Sequence, residues 1–328
     1  MSFHMRLRAL FALFAAAVLA VGVAACGDDD DEGGGDSGGS ESASLIESNP
    51  DNEGVELTIG SKNFTEQFIL GEIYAQALEA AGYTVNTDLN LGSERIALRS
   101  LNSGEVSGYP EYTSTALTSF FDVPIDEVPA DADEAYEQTQ GQFEEQGLVA
   151  FEPTPFADAN SLGMLTDTAE ELGVTTISEL VGQEGDLTLA GSPECRQRPD
   201  CLLGLQDVYG LDFGKFTPVD IGLRYEVLDN GDADASILFT SDAQLSVNDD
   251  KYVLLEDDQG VFPAGNVLFV ASQEAADEAG EDFGSTIELV QGELTLEVMQ
   301  ELNARVDIDK EDPAAVAESY LRTAGYIE

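Results

Sequence analysis

The stretch SGYPEYTSTAL (107–117) places two tyrosines three residues apart and follows them with small hydroxyl side chains. A tyrosine ring can face a cation while its phenol is fixed by hydrogen bonds, and a hydroxyl can donate to an anionic group. These residue types favour noncovalent recognition of a charged small molecule. The alternative is a capped turn at Pro110, in which Thr113 to Thr115 begin a helix and both tyrosines pack in the core.

Lys62 is a second candidate for binding chemistry. It follows a predicted strand, Val55 to Ile59, and precedes a predicted helix. The place where the open end of a parallel sheet meets a helix N-terminus favours anions. The alternative is a solvated lysine on a turn.

Residue types and motifs that carry enzymatic chemistry are scarce in this chain. Its only histidine, His4, lies in the N-terminal run, and the sequence contains no P-loop. The one match to GxSxG, GDSGG (35–39), lies in a stretch of Gly, Asp and Ser without the strand and helix that a nucleophile elbow requires. Carboxylates are abundant, but no pattern singles out a hydrolytic pair. The net charge of −52 argues against nucleic acid, which requires clustered Lys and Arg. The sequence therefore predicts a protein that is not an enzyme, with no cofactor and no metal site.

The N-terminus predicts export. Arg6 and Arg8 precede an apolar run that is short and wrongly flanked for a membrane span, so residues 1–25 are interpreted as a signal peptide. The run ends in VGVAAC, which resembles the lipobox of bacterial lipoproteins and implies lipidation of Cys26. The alternatives are an ordinary cleaved signal with an unmodified cysteine and an uncleaved signal anchor.

Residues 26–54 are rich in Asp, Gly and Ser, which predicts a disordered tether between a membrane anchor and a folded domain. Beyond the tether, Cys195 and Cys201 flank the polar segment RQRPD. In an exported protein this spacing favours a local disulfide, with two free buried thiols as the alternative.

Strands and helices alternate along the rest of the chain. A helix is predicted from about Asn63 to Gly82, with Asn63 and Glu66 as a capping pair. The alternation continues to Gly147, restarts near Asn160, and ends in two amphipathic helices. This order predicts an α/β protein with open, mostly parallel sheets covered on both faces.

Five separated motifs carry a family resemblance: GSKNFTEQFILGEIYAQALEAAGY, LNSGEVSGYPEYTSTAL, GLRYEVLDNGDAD, LLEDDQGVFPAGN and the C-terminal ELNARVDIDKEDPAAVAESYLRTAGYI. From Val55 onwards the chain resembles the substrate-binding proteins of bacterial ABC importers for glycine betaine, choline and carnitine. The resemblance implies a two-lobed periplasmic-binding-protein fold of type II, with two crossovers and a ligand cleft between the lobes. The first lobe would comprise 55–155 and 265–328, and the second 156–264. A monomer would deliver a quaternary ammonium ligand to a permease driven by an ATPase.

The same resemblance implies roles for individual residues. Tyr112 would face the ligand's cation, and Thr115 and Lys62 would bind its carboxylate. On the second lobe, register matching assigns the carboxylate-binding arginine to Arg198, with Arg196 as the alternative, and a second aromatic wall to Tyr225.

Two positions depart from the family pattern. Asn160 lies where a box tyrosine is common, and Asn248 or one of its neighbours lies at a second such position, with Tyr252 nearby but shifted along the chain. Other aromatic residues could complete the box, namely Phe64, Tyr109 and Phe239. The preferred ligand therefore stays open among quaternary amines, and a different small amine or amino acid is the alternative. A ligand-sensing lipoprotein without a transport role is a further alternative.

Overall fold

The computed structural model describes residues 45–248 and 250–328. The predicted signal peptide, Cys26 and most of the predicted tether lie outside these residues. The strands are Glu56–Gly60 (β1), Thr84–Asp88 (β2), Gly108–Tyr112 (β3), Leu148–Ala150 (β4), Ala157–Asp158 (β5), Asn160–Leu165 (β6), Thr188–Gly191 (β7), Lys215–Pro218 (β8), Ala235–Phe239 (β9), Tyr252–Leu254 (β10) and Gly265–Ser272 (β11).

Helices connect and cover the strands. They are Thr65–Ala80 (α1), Glu94–Asn102 (α2), Thr113–Thr115 (α3), Ala132–Glu144 (α4), Thr166–Leu172 (α5), Leu202–Gly204 (α6), Arg224–Asp229 (α7), Ala243–Val247 (α8), Gln273–Ala279 (α9), Glu281–Gln291 (α10), Leu296–Asp307 (α11) and Pro313–Thr323 (α12). Two short helices, α3 and α6, continue directly into π-helical turns at Ala116–Phe120 and Leu205–Tyr209. No described helix is long and apolar enough to cross a bilayer.

Two sheets form the centres of two lobes. The first sheet has the order β2-β1-β3-β11-β4, with β5 paired to β11, and the second has the order β10-β6-β9-β7-β8. The expectation of mostly parallel strands is confirmed for β1, β2 and β3 and for β7, β8 and β9, which pair in parallel. Each sheet also contains one reversed strand, because β11 runs antiparallel to β3, β4 and β5, and β6 runs antiparallel to β9 and β10. Both β6 and β11 follow passages between the lobes and enter their sheets without a preceding helical crossover, so they are not constrained to run parallel.

The β3 strand carries the tyrosine motif into the middle of the first sheet. Pro110 lies within the strand opposite Phe269 of β11, so the alternative of a turn at this position is wrong. The pairing of β3 with β1 reaches only Gly108, and Pro110 therefore lies where β3 is paired on one side. This strand delivers Tyr112 to the cleft edge of the sheet.

The α1 helix begins two residues later than its sequence signals suggest. Its N-cap is Phe64, with an extended backbone and no capping side-chain hydrogen bond, so the predicted Asn63–Glu66 capping pair is wrong. Glu66 instead turns into the protein, where its carboxylate accepts hydrogen bonds from Tyr112 and Asn303. Tertiary partners outcompete the local cap.

The folded unit begins before the predicted end of the tether at residue 54, because Ile46 already forms a hydrogen bond with the first lobe. The backbone N–H of Ile46 donates to the carbonyl of Tyr326 at 2.8 Å. The side chains of Asn49 and Asn52 both donate to Asp282, at 2.6 and 3.3 Å. Residues 45–54 therefore dock on the first lobe, because they contribute an apolar side chain and amides for which the lobe supplies partners.

Candidate functional site

A cavity of about 80 Å³ lies between the two lobes, at the carboxyl ends of β1, β3, β7 and β9. Five of the predicted ligand-binding residues line it, namely Lys62, Tyr112, Thr115, Asn160 and Arg198. Phe64, Glu94, Asp158, Asp200, Arg224 and Phe239 also line it. The cavity therefore combines aromatic rings with charges of both signs.

Lys62 lies two residues after the end of β1 and is buried, with 4% of its surface exposed. Its ammonium group forms an ion pair with Glu111, which is itself fully buried. The same ammonium lies 4.4 Å from the ring centroid of Tyr112 and 5.9 Å from that of Phe64. Burial lowers the pKa of Lys62, and Glu111 opposes this shift. The structure thus places a cation against aromatic rings at this point.

The hydroxyl group of Tyr112 fixes the position of its side chain by a hydrogen bond. The hydroxyl donates to Glu66 at 2.6 Å, and burial, followed by the charge of Glu66, raises the tyrosine pKa well above its usual range. The ring lies 6.3 Å from that of Phe64, with 24° between their planes. Thr115 follows in α3, also at the cavity.

Phe64 also packs against Phe239, with ring centroids 5.2 Å apart, and so joins the aromatic surfaces of the two lobes. The Arg224 guanidinium lies 3.8 Å from the Phe239 centroid and pairs with Asp242 at 2.8 Å. Sequence reasoning named Phe64 and Phe239 as further candidates but missed Arg224. The available signal was its position directly before Tyr225 in the motif GLRYEV.

Arg198 reaches the cavity from a loop that contains a disulfide between Cys195 and Cys201. Its guanidinium pairs with Asp200, with Nε donating to Oδ1 at 2.8 Å, and its Nη1 lies 3.7 Å from Glu94 of the first lobe. Arg196 instead stacks on Phe216, 4.9 Å from the ring centroid, and does not line the cavity. Of the two candidate arginines, Arg198 lines the cavity and Arg196 does not.

The Asn160 side chain donates to the Asp200 backbone carbonyl at 2.9 Å and to its carboxylate at 3.3 Å. It therefore positions the acid that holds Arg198. Asn248 follows α8 and does not line the cavity.

Tyr225 does not line this cavity but an adjoining one between the same lobes, which shares Phe64, Arg224 and Phe239 with it. Its hydroxyl donates to Asp242 at 3.0 Å, and its ring packs edge-on to Tyr252, with centroids 4.7 Å apart. Neighbouring residues on a helix point about 100° apart. Arg224 therefore lines both cavities, whereas Tyr225 lines only the adjoining one. Tyr109 is fully buried in the core, and its hydroxyl donates to Glu111.

Asp158 contributes a carboxylate from the passage between the lobes. Its Oδ1 accepts hydrogen bonds from the Thr240 hydroxyl at 2.8 Å and the Ser241 backbone N–H at 2.9 Å. Burial, followed by the nearby charge of Glu66, raises the pKa of Asp158 to about 7. This acid was not among the residues selected from the sequence.

Two α/β lobes joined by two passages, with a polar and aromatic cleft between them, define a periplasmic-binding-protein fold of type II. Residues 55–323 match the family described as the substrate-binding domain of ABC-type glycine betaine transport systems, and the chain belongs to this family.

Individual relatives agree with the family match. The chain is 35% identical over 277 residues to a glycine-betaine-binding protein of Pseudomonas aeruginosa, covering 81% of this chain and 87% of the relative. It is 27% identical to a carnitine transport binding protein of Listeria monocytogenes, covering 83% and 88%. A crystal structure of a glycine betaine/carnitine/choline ABC transporter protein superposes with a TM-score of 0.64 at 26% identity, covering 83% of this chain and 100% of that chain.

Family membership confirms three expectations from the sequence. The protein is a solute-binding protein rather than an enzyme, its partner is an ABC transporter, and it works outside the cytoplasm. The cleft therefore has to bind and release a ligand without changing it.

Proposed function

We propose that this protein captures a quaternary ammonium osmoprotectant and delivers it to an ABC permease and its ATPase. The main support is the position of the Lys62 ammonium, 4.4 Å from the Tyr112 ring centroid. A ring that attracts the protein's own ammonium offers the same electrostatic attraction to a ligand's ammonium. The names of the glycine betaine and carnitine relatives support the same ligand class.

In this proposal the aromatic rings of Tyr112, Phe64 and Phe239 surround the ligand's cation. Its polar end, a carboxylate or a hydroxyl, reaches Thr115, Lys62 and Arg198, with Asn160 supporting this arrangement through Asp200. Because the ligand contacts both lobes, it binds the closed state better and shifts the population towards closure.

The proposal also includes the arrangement of the whole chain. The lobes correspond to 55–155 with 265–328 and to 156–264, except that β5 is paired with the first sheet. A monomer is attached to the outer face of the cell membrane by lipid on Cys26. Mass spectrometry of the membrane fraction tests the anchor, since a diacylglycerol adduct on Cys26 is expected and an unmodified cysteine would contradict it.

The ligand class is tested by calorimetric titration with glycine betaine, choline, carnitine and proline betaine. The control is 3,3-dimethylbutanol, which has the shape of choline but no charge. Saturable binding of at least one quaternary amine, without binding of the neutral control, is expected. Binding of none of them would overturn the ligand assignment and favour another small amine or an amino acid.

The transport role is tested separately in cells. Uptake of the labelled ligand should be lost when the gene is deleted and restored by a plasmid copy. Normal uptake in the deletion strain would favour a sensing role.

A further inference from the structure

The basic side chains that line the cleft already have acidic partners. Lys62 pairs with Glu111, and Arg224 pairs with Asp242. Arg198 faces two acids, Asp200 and Glu94. The positive charges on which a ligand's carboxylate would depend are therefore compensated within the protein.

Asp158 lines the same cavity without such compensation. It is 7% exposed, and no basic side chain of the described residues forms an ion pair with it. Its Oδ1 accepts hydrogen bonds from the loop after β9, whereas Oδ2 accepts none from the described part of the chain. A buried carboxylate without a cation is unfavourable, and a cation brought by a ligand would relieve that cost.

The other charged and titratable groups near Asp158 do not supply that cation. Glu66 of α1 and Asp242 beside α8 are both acids. Tyr112 of β3 is a neutral phenol that donates a hydrogen bond to Glu66, and Arg224 is paired with Asp242. The surroundings of Asp158 therefore favour either a proton on its carboxyl group or a cation beside it.

We propose that Asp158 is the counter-ion for the ligand's ammonium group, so that the cleft prefers ligands of net positive charge, such as choline, to zwitterions, such as glycine betaine. This inference rests on the proposed function and names the ligand class within it. A zwitterion's carboxylate must compete with Glu111, Asp200 and Glu94 for donors, whereas a net cation needs only the carboxylate that lacks a partner.

Ligand binding is then linked to a proton. Because burial and the nearby acids raise the pKa of Asp158 to about 7, the carboxyl group is mostly protonated at pH 6 and mostly ionised at pH 8. A bound cation favours the ionised form, so binding releases a proton and affinity rises with pH through 7. If only the ionised form binds, choline should bind about tenfold more tightly at pH 8 than at pH 6.

The test compares the whole protein with Asp158→Asn in calorimetric titrations with choline and glycine betaine at pH 6, 7 and 8. Asparagine keeps an oxygen for Thr240 and Ser241 but cannot ionise. The wild-type protein should bind choline more tightly than glycine betaine and show the tenfold pH effect. The variant should lose at least tenfold in choline affinity at pH 8, lose the pH effect, and change less towards glycine betaine.

Two further measurements keep the inference testable if this variant folds poorly. Wild-type titrations in phosphate and in Tris, whose ionisation enthalpies differ, count the protons released, and about half a proton per choline is expected at pH 7. Glu288→Gln is the matched acid-to-amide control and should keep the pH effect, because Glu288 lies on α10 outside the cavity and its pKa is also raised by burial. Glu66→Gln is a second test, because the charge of Glu66 helps to raise the pKa of Asp158, and its removal should shift the rise in choline affinity to lower pH.

Unchanged choline affinity and pH dependence in Asp158→Asn would overturn this inference alone, as would tighter binding of glycine betaine than choline by the wild type. Loss of the pH effect in Glu66→Gln at every pH from 4 to 8, instead of a shift to lower pH, would assign the linked proton to Glu66 and would also overturn it. If the wild type binds no quaternary amine at pH 8, the proposed function fails and this inference fails with it.

Discussion

The pair formed by Lys62 and Glu111 is buried beneath the cleft. Glu111 also accepts hydrogen bonds from the Tyr112 backbone N–H at 2.8 Å and from the Tyr109 hydroxyl at 3.1 Å. One carboxylate thus fixes the lysine, the β3 backbone and a core tyrosine together. Removing one member of a buried ion pair leaves the other charge uncompensated, which typically costs 3–5 kcal/mol.

We therefore predict that Glu111→Gln lowers the free energy of unfolding by about 3 kcal/mol, measured by urea denaturation. The double variant Lys62→Met with Glu111→Gln should recover most of that loss, because it removes the uncompensated charge and keeps an acceptor oxygen for the Tyr112 N–H and the Tyr109 hydroxyl. The control is Glu318→Gln in the exposed Glu318–Arg322 pair, where the expected change is less than about 1 kcal/mol. Equal losses at positions 111 and 318 would contradict a structural role for the buried pair.

Tyr112 offers a second prediction for a single residue, because its ring and hydroxyl have separate partners. Tyr112→Phe keeps the ring and removes the hydrogen bond to Glu66, so it should lower stability by about 1 kcal/mol and retain ligand affinity. Tyr112→Leu removes the ring and should weaken binding of a quaternary amine by about 1–2 kcal/mol. Titration of both variants checks this. Equal affinities would show that the ring does not contact the ligand's cation.

Among the elements, the segment from Pro193 to Gly204 determines how Arg198 is presented. The disulfide fixes its middle, and α6 packs tightly against it at the end. A Cβ added at Gly204 would lie 1.8 Å from the Pro199 carbonyl oxygen. That oxygen belongs to the backbone and cannot move aside as a flexible side chain can.

Gly204→Ala should therefore displace the Arg198 loop, lower the free energy of unfolding by about 1–3 kcal/mol and weaken ligand binding. The matched control is Gly222→Ala, because a Cβ there meets nothing within 4 Å and this glycine also lies on the second lobe. Thermal unfolding and titration should separate the two variants. Wild-type behaviour of Gly204→Ala would show that the loop adapts.

The elements also show how far the sequence determines the structure. Strong periodic segments were predictable, such as the helix that ends before Gly82 and the last helix, which begins at Pro313. The direction of β11 could not be predicted, because it depends on pairing with β3, which lies more than 150 residues earlier in the chain. Arg224 rather than Tyr225 lines the first cavity because of the way α7 is rotated about its axis. A helix of six residues is too short for its sequence periodicity to predict that rotation.

At the scale of the whole molecule, the net charge of −52 means that folding brings many like charges together. Salt screens this repulsion, with a Debye length of about 10 Å at 0.1 M and about 3 Å at 1 M. If screening restores about 2 kcal/mol, the melting temperature should rise by roughly 4–8 °C between 0.1 and 1 M NaCl.

Calorimetry at several salt concentrations checks this prediction, with sucrose of matched osmolality as the control for solvent exclusion. A melting temperature that does not rise with NaCl, or that rises equally in sucrose, would contradict electrostatic stabilisation by salt. A positive result would agree with adaptation to a saline habitat.

The docking of residues 45–54 has a mechanical consequence. The hydrogen bonds described above join Ile46, Asn49 and Asn52 to the first lobe, next to the start of β1, while the cleft lies at the far end of that strand. Tension applied through the N-terminal chain is therefore borne by the first lobe, on the side away from the ligand. The second lobe is joined to the first by the two passages and by contacts across the cleft, such as the packing of Phe64 on Phe239 and the hydrogen bond from Asn303 to the Ser241 carbonyl. A load on the N-terminal chain therefore leaves the second lobe free to move relative to the first once these cleft contacts break.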